Sequence, residues 1–538
     1  MTHASDLSAP FDFIVIGAGS AGCVAANRLS ADGRYRVCVV EAGGADTTPR
    51  IHVPAGTITL YKSRRFAYQF YSTPQPWLDD RRMHVPRGRA LGGSTTLNSM
   101  IYIRGDRSDY DHWASLGCSG WDYASVLPEF RALEHCHRAL DPAFHGQDGE
   151  LDVRQPRDVN PLSHAFVRAG VEAGLPENHD FNGPTLEGVG IYDVTQRNGM
   201  RLSAYRAFLH PVRDRPNLTL LPRADVRRVV VSHGRATGVV VDHDGHTVIL
   251  QARREIVLCA GAVASPAILM ASGIGPGDAL TAAGIAPLHE LRGVGANLQD
   301  HLDGLVTVRS TDARTLGFSR ASLPSVLSSP LRYLAGRKGW LTTNYVEAGG
   351  FARTRYATDV PDIQFHFVPG YRSPRGRLFE WGHGIAVHTC VLRPQSRGRI
   401  TLSTDGHAAP VIDFNFASVP RDMDILCDGI HHARRILAQA AFDRTRGTEI
   451  APGNAVASDD EIRAYLRRSA ATVFHPAGTC RMGADDASVV TPRLQVRAVD
   501  GLRIADASIM PTLISGNTSA PSMMIGAKAA RMALDDAR

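Results

Sequence analysis

Apolar positions from Phe11 to Ile16 run almost unbroken, the pattern of a short strand buried on both faces. A glycine turn and an alanine-rich stretch to about Leu29 follow, and residues 35–40 form a second apolar run, so the first forty residues read as strand, helix, strand. Residues 50–150 mix polar loops with Pro/Gly punctuation, and 156–212 read as helix and loop. Short apolar runs at 218–221, 226–231, 237–241 and 247–250 predict a small antiparallel layer. Residues 255–259 predict another buried strand, leading through Gly261 into a helix from Ser265. Further strands at 363–368 and 385–392 and a helix over 422–439 mark the region 316–464. From Gly501 the chain returns to strand, turn and an alanine-rich helix.

Glycine turns therefore cluster at the start, the middle and the end of the chain. One domain assembled from separate segments accounts for this: 1–155, 213–315 and 465–538, with 156–212 and 316–464 forming a second domain of antiparallel sheet and helices. The fold class expected is α/β, α+β overall. At 538 residues the chain is too long for a single core.

Composition narrows the function. Hydrophobic residues are 43% and charged residues 21%, ordinary for a globular protein. The 59 basic against 53 acidic residues leave +6, spread along the chain and almost all arginine, with no clustered basic element of the kind that binds nucleic acid. The cysteines (Cys23, Cys38, Cys118, Cys136, Cys259, Cys390, Cys427, Cys480) form no C-x-x-C pair, so no metal site is expected. Met1 to Pro10 shows no leader pattern and no run of 18 apolar residues exists. A cytoplasmic location is expected. Contact with the inner face of a membrane stays open, because 319–343 mixes leucines and prolines with Arg320, Arg332, Arg337 and Lys338.

The first motif with chemistry is Gly17-Ala18-Gly19-Ser20-Ala21-Gly22, between strand and helix. Gly17 permits the tight turn, Gly19 lets backbone approach a pyrophosphate, and Gly22 allows close helix–strand packing. The helix N-terminus offers N–H groups and its positive dipole end to phosphates. Glu41 ends the second strand 19 residues after Gly22, where a carboxylate can bind both ribose hydroxyls. A second glycine-rich stretch, Gly88-Arg89-Ala90-Leu91-Gly92-Gly93-Ser94-Thr95-Thr96-Leu97-Asn98-Ser99-Met100-Ile101, could pass its backbone close to a flat ring.

Four segments together resemble the glucose–methanol–choline oxidoreductase family: VIGAGSAG with VVEAGG, RGRALGGSTTLNSMIYIRG, AGAVASPAILMASGIG with GVGANLQDHL, and FHPAGTCRMG with RIADASIMPTLISGNTSAPSMMIGAKAA. The segments DRRM (80–83), VEAGGF (346–351) and LRPQSRG (392–398) look most like choline dehydrogenases and aliphatic alcohol dehydrogenases. The resemblance implies a Rossmann-like FAD domain. It implies that Gly17, Gly19, Ser20, Ala21, Gly22, Glu41, Ala42, Tyr68, Leu91, Gly93, Asn98, Met100, Ile101, Val226, Phe474, Asp506 and Ala507 contact the cofactor. Some relatives bind FAD covalently through a histidine just before the asparagine of the loop. This chain has Leu97 there, so FAD is expected to be non-covalent.

Oxidising an alcohol moves a hydride from carbon to flavin while the hydroxyl loses a proton, which calls for a base that titrates near neutrality. His475, held extended by Pro476, matches the histidine that faces the flavin in relatives, and Asn517 matches its partner in the choline-like branch. A helix-cap role for Asn517 is the structural alternative. Glu347 is expected to face a substrate cation or, equally, to be a paired structural carboxylate. His301 reads as a satisfied loop histidine. The expected reaction is oxidation of a primary alcohol with electrons passed to a quinone or other non-oxygen acceptor. Choline oxidation, an oxygen-using oxidase and a flavin-bound lyase such as a hydroxynitrile lyase are the alternatives. The alcohol and the oligomeric state are not legible in the sequence.

Overall fold

The computed structural model describes residues 7–371, 381–405 and 408–538; residues 1–6 of the opening stretch, which was read for a leader, lie outside them. Phe11–Ile16 is a buried strand flanked in parallel by Val37–Glu41 on one side and His246–Leu258 on the other. Leu218–Pro222 adds in parallel to Val37–Glu41, and Leu502–Ile504 adds in parallel to the last residues of His246–Leu258. Parallel strands need long crossovers and cover on both faces. Helix Ser20–Leu29 supplies the first crossover, and the last helix, Ser519–Asp536, packs on it. Gly526 permits that approach, since a Cβ there would lie 2.3 Å from the Ala21 carbonyl oxygen. Start, middle and end of the chain thus build one sheet.

Two strand expectations need correction. Leu218–Pro222 is an edge of the parallel sheet and no part of the antiparallel layer; Leu218 and Leu221 are buried there opposite Val37 and Val40. The runs 247–250 and 255–259 are not separate strands. His246–Leu258 is a single strand of 13 residues. Its first half forms an antiparallel meander with Arg235–His243 and Ala224–Ser232, and its second half enters the core. The polar residues between, Gln251, Arg253 and Arg254, are exposed where the strand passes from one partner to the next, which is why the stretch reads as a break.

The second sheet is antiparallel, in the order Arg446–Ala451, Leu302–Ser310, Gly384–Val391, Ile363–Val368, Ala348–Ala352, Gly188–Ile191. Helices Pro161–Glu172 and Pro420–Leu437 pack on it and on each other. The boundary expected at 315 falls earlier, because Leu302–Ser310 is a central strand of this second sheet. Ala471–Thr472 pairs beside Leu302, so the chain that leads to His475 leaves from the second sheet and enters the first domain. Among the described residues all eight cysteines are buried and outside any disulfide, and no helix is long and apolar enough to cross a membrane.

Candidate active site

A cavity of about 1230 Å³ is walled by the glycine turn, the glycine-rich loop, the meander, the second sheet and the residues around His475. Gly17 turns with φ +94°, and a Cβ on Gly19 would meet no atom within 4 Å, so the backbone is open to the cavity at that point. Gly19 begins helix Ser20–Leu29 with no side chain capping it and no acidic residue in the first turn. Those first-turn N–H groups and the positive helix end suit a pyrophosphate. Glu41 accepts from Ala18 N–H at 2.9 Å and Gly43 N–H at 2.8 Å, and burial pushes its carboxyl up to about 7. A buried carboxylate so placed, at the end of the second strand, suits a pair of ribose hydroxyls. Ala42, Tyr68 and Val226 line the same region.

Gly93, Asn98, Met100 and Ile101 also line the cavity, with Phe474, Asp506 and Ala507. The loop is held from behind. Asn98 Oδ1 accepts from Met100 N–H at 3.1 Å and from the Arg201 guanidinium at 2.9 Å, while Met100 stands at φ +60°. Arg201 is buried and also donates to the carbonyls of Ile51 and Thr95 and to the Thr57 hydroxyl. No carboxylate pairs with it among the described residues, and burial pulls it down to about 10. Sequence reading missed Arg201, since nothing in its local pattern distinguishes it from the other arginines. Asp506 lines the cavity, but its carboxylate is engaged by Gly261 N–H, Ser265 Oγ and Ser508 N–H.

Three expected residues are not at the cavity wall. Gly22 acts by packing, since a Cβ there would lie 1.9 Å from the Gly17 oxygen. Leu91 is buried behind the loop, its N–H bonded to Gly44 O at 2.9 Å. Glu347, expected to face a substrate cation or equally to be a paired structural carboxylate, is only 1% exposed. Its carboxylate accepts from Asn160 N–H at 2.7 Å, Ser163 Oγ at 3.0 Å and Thr343 Oγ1 at 2.7 Å. It is a structural carboxylate, because those three donors compensate its burial.

His475 and Asn517 both line the cavity, with His475 Nε2 3.2 Å from Asn517 Nδ2. The last helix begins after Thr518 with no side-chain cap bond, so Asn517 is not spent on capping. Behind His475 stands His301, its Nδ1 3.0 Å from His475 Nδ1 and its Nε2 3.1 Å from Leu392 O. This fixes the protons. A carbonyl only accepts, so His301 carries its hydrogen on Nε2; burial pulls its pKa down to about 4, which leaves Nδ1 bare. His475 must therefore donate from Nδ1. Burial, with repulsion from His301, His366 and Arg87, holds its pKa well below the usual value. Its Nε2 is then a bare acceptor at the cavity wall, taking a hydrogen bond from Asn517. Asn517 Oδ1 in turn accepts from Gln364 Nε2 at 3.1 Å.

His301 is satisfied, as expected, but it bonds the candidate base and is more than a loop fixture. Asp300 anchors both histidines by accepting from the backbone N–H of each at 2.8 Å. The adjacent Asp300-His301 pair was the available signal. Gln364 had none, since it is a polar residue inside an apolar strand run.

Family models described as GMC oxidoreductase match residues 11–303 and 394–526. An alcohol dehydrogenase [acceptor] of Pseudomonas putida is 45% identical over 525 residues, covering 97% of this chain and 95% of that protein. An oxygen-dependent choline dehydrogenase of Rhizobium rhizogenes (strain K84 / ATCC BAA-868) is 41% identical, covering 96% and 94%. Among solved structures, pyridoxine 4-oxidase from Mesorbium loti superposes with TM-score 0.87 at 32% identity over 97% of this chain and 98% of that one. Formate oxidase of Aspergillus oryzae RIB40 gives TM-score 0.90 at 25% identity, covering 98% of each. With the dinucleotide turn, the glycine-rich loop and the histidine–asparagine pair walling one cavity, the chain belongs to the GMC oxidoreductase family.

Proposed function

We propose that this protein binds FAD non-covalently and oxidises a primary alcohol to the aldehyde, passing electrons to a quinone or another acceptor that is not oxygen. The observation that carries the reading is the oriented series Leu392 O, His301, His475, Asn517, Gln364, which leaves His475 Nε2 unprotonated at the cavity wall, held by Asn517 N–H until a substrate hydroxyl takes that place. A flavin held along the glycine-rich loop would supply the hydride acceptor for the carbinol carbon. His475 Nε2 takes the hydroxyl proton, and its depressed pKa keeps it neutral and ready at physiological pH. Asn517 offers N–H to the same substrate oxygen. The Glu41 carboxylate and the N–H groups after Gly19 suit the adenosine and pyrophosphate. The buried Arg201 fixes the loop that would lie along the ring system. Leu97 supplies no nucleophile for a covalent link.

An uncharged alcohol is favoured over choline because Glu347 is withdrawn from the cavity. The wall made by the second sheet and neighbouring segments is largely apolar, including Leu305, Leu316, Phe318, Val326, Trp340 and Val368. Anaerobic addition of a series of primary alcohols and of choline tests this. Alkyl alcohols should bleach the flavin, choline should do so at least tenfold less efficiently, and a quinone analogue should reoxidise it faster than oxygen. Preference for choline overturns the substrate assignment, faster oxygen turnover makes the protein an oxidase, and a flavin that stays oxidised while substrate is consumed makes it a lyase.

A further inference from the structure

Helix Leu323–Gly336 lies over the cavity. Val326, Ser329 and Pro330 line its ceiling, and Tyr333 is buried with its hydroxyl donating to Gly199 O at 3.2 Å. The adjoining outward face is apolar and bare. Leu327, Leu331 and Leu334 are 69%, 71% and 74% exposed, and Leu323 shares their side of the helix. At about 100° per residue these four fall within an arc of about 80°. Trp381, 66% exposed, bridges to Phe318 just before the helix. Large bare leucines grouped on one face mark an interaction surface, whereas scattered single ones do not.

Charge identifies the occupant. From Arg320 to Lys338 the chain carries Arg320, Arg332, Arg337 and Lys338 and no acidic residue. None of the four forms an ion pair among the described residues. A two-fold contact with a second copy would bring eight cations together against only the Asp158 carboxylate of each copy, which already accepts from Gly339 N–H at 2.7 Å. A helix with a stripe of leucines and cations at both ends, Arg320 before it and Arg337 and Lys338 after it, suits the interface of an anionic lipid surface, where apolar side chains sink below the headgroups and cations meet them.

We infer that this helix docks the protein on anionic lipid, so that the ceiling of the cavity faces the membrane and apolar alcohol and acceptor molecules dissolved in lipid reach the site from there. The identity of what enters rests on the alcohol-oxidation reading. The docking itself is read without turnover, so either can fail alone.

The test is flotation of the full FAD-loaded chain with extruded vesicles of phosphatidylcholine alone or with about one-third phosphatidylglycerol. Binding should appear with the anionic vesicles and weaken with salt. The variant Leu327→Ser/Leu331→Ser/Leu334→Ser should lose at least tenfold in partitioning while still reducing its flavin with a water-soluble alcohol. Lys338→Gln should weaken binding about fivefold, the worth of one cation near an anionic surface. No wild-type binding to anionic vesicles, undiminished binding by the serine variant, or a wild-type dimer in solution that the serine variant dissolves would each overturn the inference. The dimer would assign the face to a second copy.

Discussion

Replacing His301 by leucine removes the acceptor of the 3.0 Å bond from His475 Nδ1 while leaving a side chain of similar bulk. The Nδ1 hydrogen then sits buried with no partner. Leaving such a donor unpaired costs ~1–3 kcal/mol, and at 1.4 kcal/mol per tenfold this is about 5–150-fold in an equilibrium. That energy now selects the His475 tautomer with a bare Nε2. Without it the hydrogen can move to Nε2, where a base is needed, and flavin reduction should slow by the same ~5–150-fold. FAD should remain bound, because the groups suited to its phosphates lie at Gly17–Gly19 and the following helix. Glutamine at 301 offers both a carbonyl for His475 and an amide for Leu392 O, so His301→Gln should recover much of the rate. The assay is anaerobic stopped-flow flavin reduction, with thermal melting and flavin content as controls. Wild-type reduction by His301→Leu, with flavin content and melting unchanged, would refute the tautomer argument.

His475→Ala should slow flavin reduction by ~10²–10⁴, the usual worth of a general base, and Asn517→Ala should cost less; equal rates for wild type and His475→Ala would place the base elsewhere. The pH profile should be flat from pH 8 down to 6.5 and fall only below that. The depressed pKa of His475 means that protonation, which disables the base, sets in on the acid side of 6.5. A limb at 7 or above would point to another group, such as Glu41. Acid precipitation should release all the yellow chromophore into the supernatant; flavin in the pellet would mean a covalent bond at a position other than Leu97.

Legibility followed locality. The Gly17–Gly22 turn, the strand before it and Glu41 were readable because strands buried on both faces leave unbroken apolar runs, and obligatory glycines write themselves into neighbouring residues. His475 and Asn517 came with motifs, not with any pattern of their own. The second sheet was only partly legible, since Gly188–Ile191 pairs with Ala348–Ala352 and Leu302–Ser310 with Gly384–Val391, partners that no local rule connects. Glu347 stayed open between two readings because a carboxylate in a glycine-rich stretch looks the same whether it meets a substrate or the N–H of Asn160. His301 and Gln364 matter only through a partner 174 and 153 residues away, and Arg201 only by lying beneath a loop drawn from elsewhere in the chain.

The three-part construction of the parallel sheet also sets a timetable for biosynthesis. Phe11–Ile16 and Ser20–Leu29 leave the ribosome early, yet the strand Leu502–Ile504 and the helix Ser519–Asp536 that complete their surroundings come last. At ~5–20 residues per second the apolar face of Ser20–Leu29 waits roughly 25–100 s for its partner helix, and the edge of His246–Leu258 waits roughly 12–50 s for Leu502–Ile504. The nucleotide site is therefore a property of the finished chain only. Loss of the C-terminal helix should abolish cofactor loading at a turn some 500 residues upstream, and the half-made chain should be a client for chaperones that shield apolar surface.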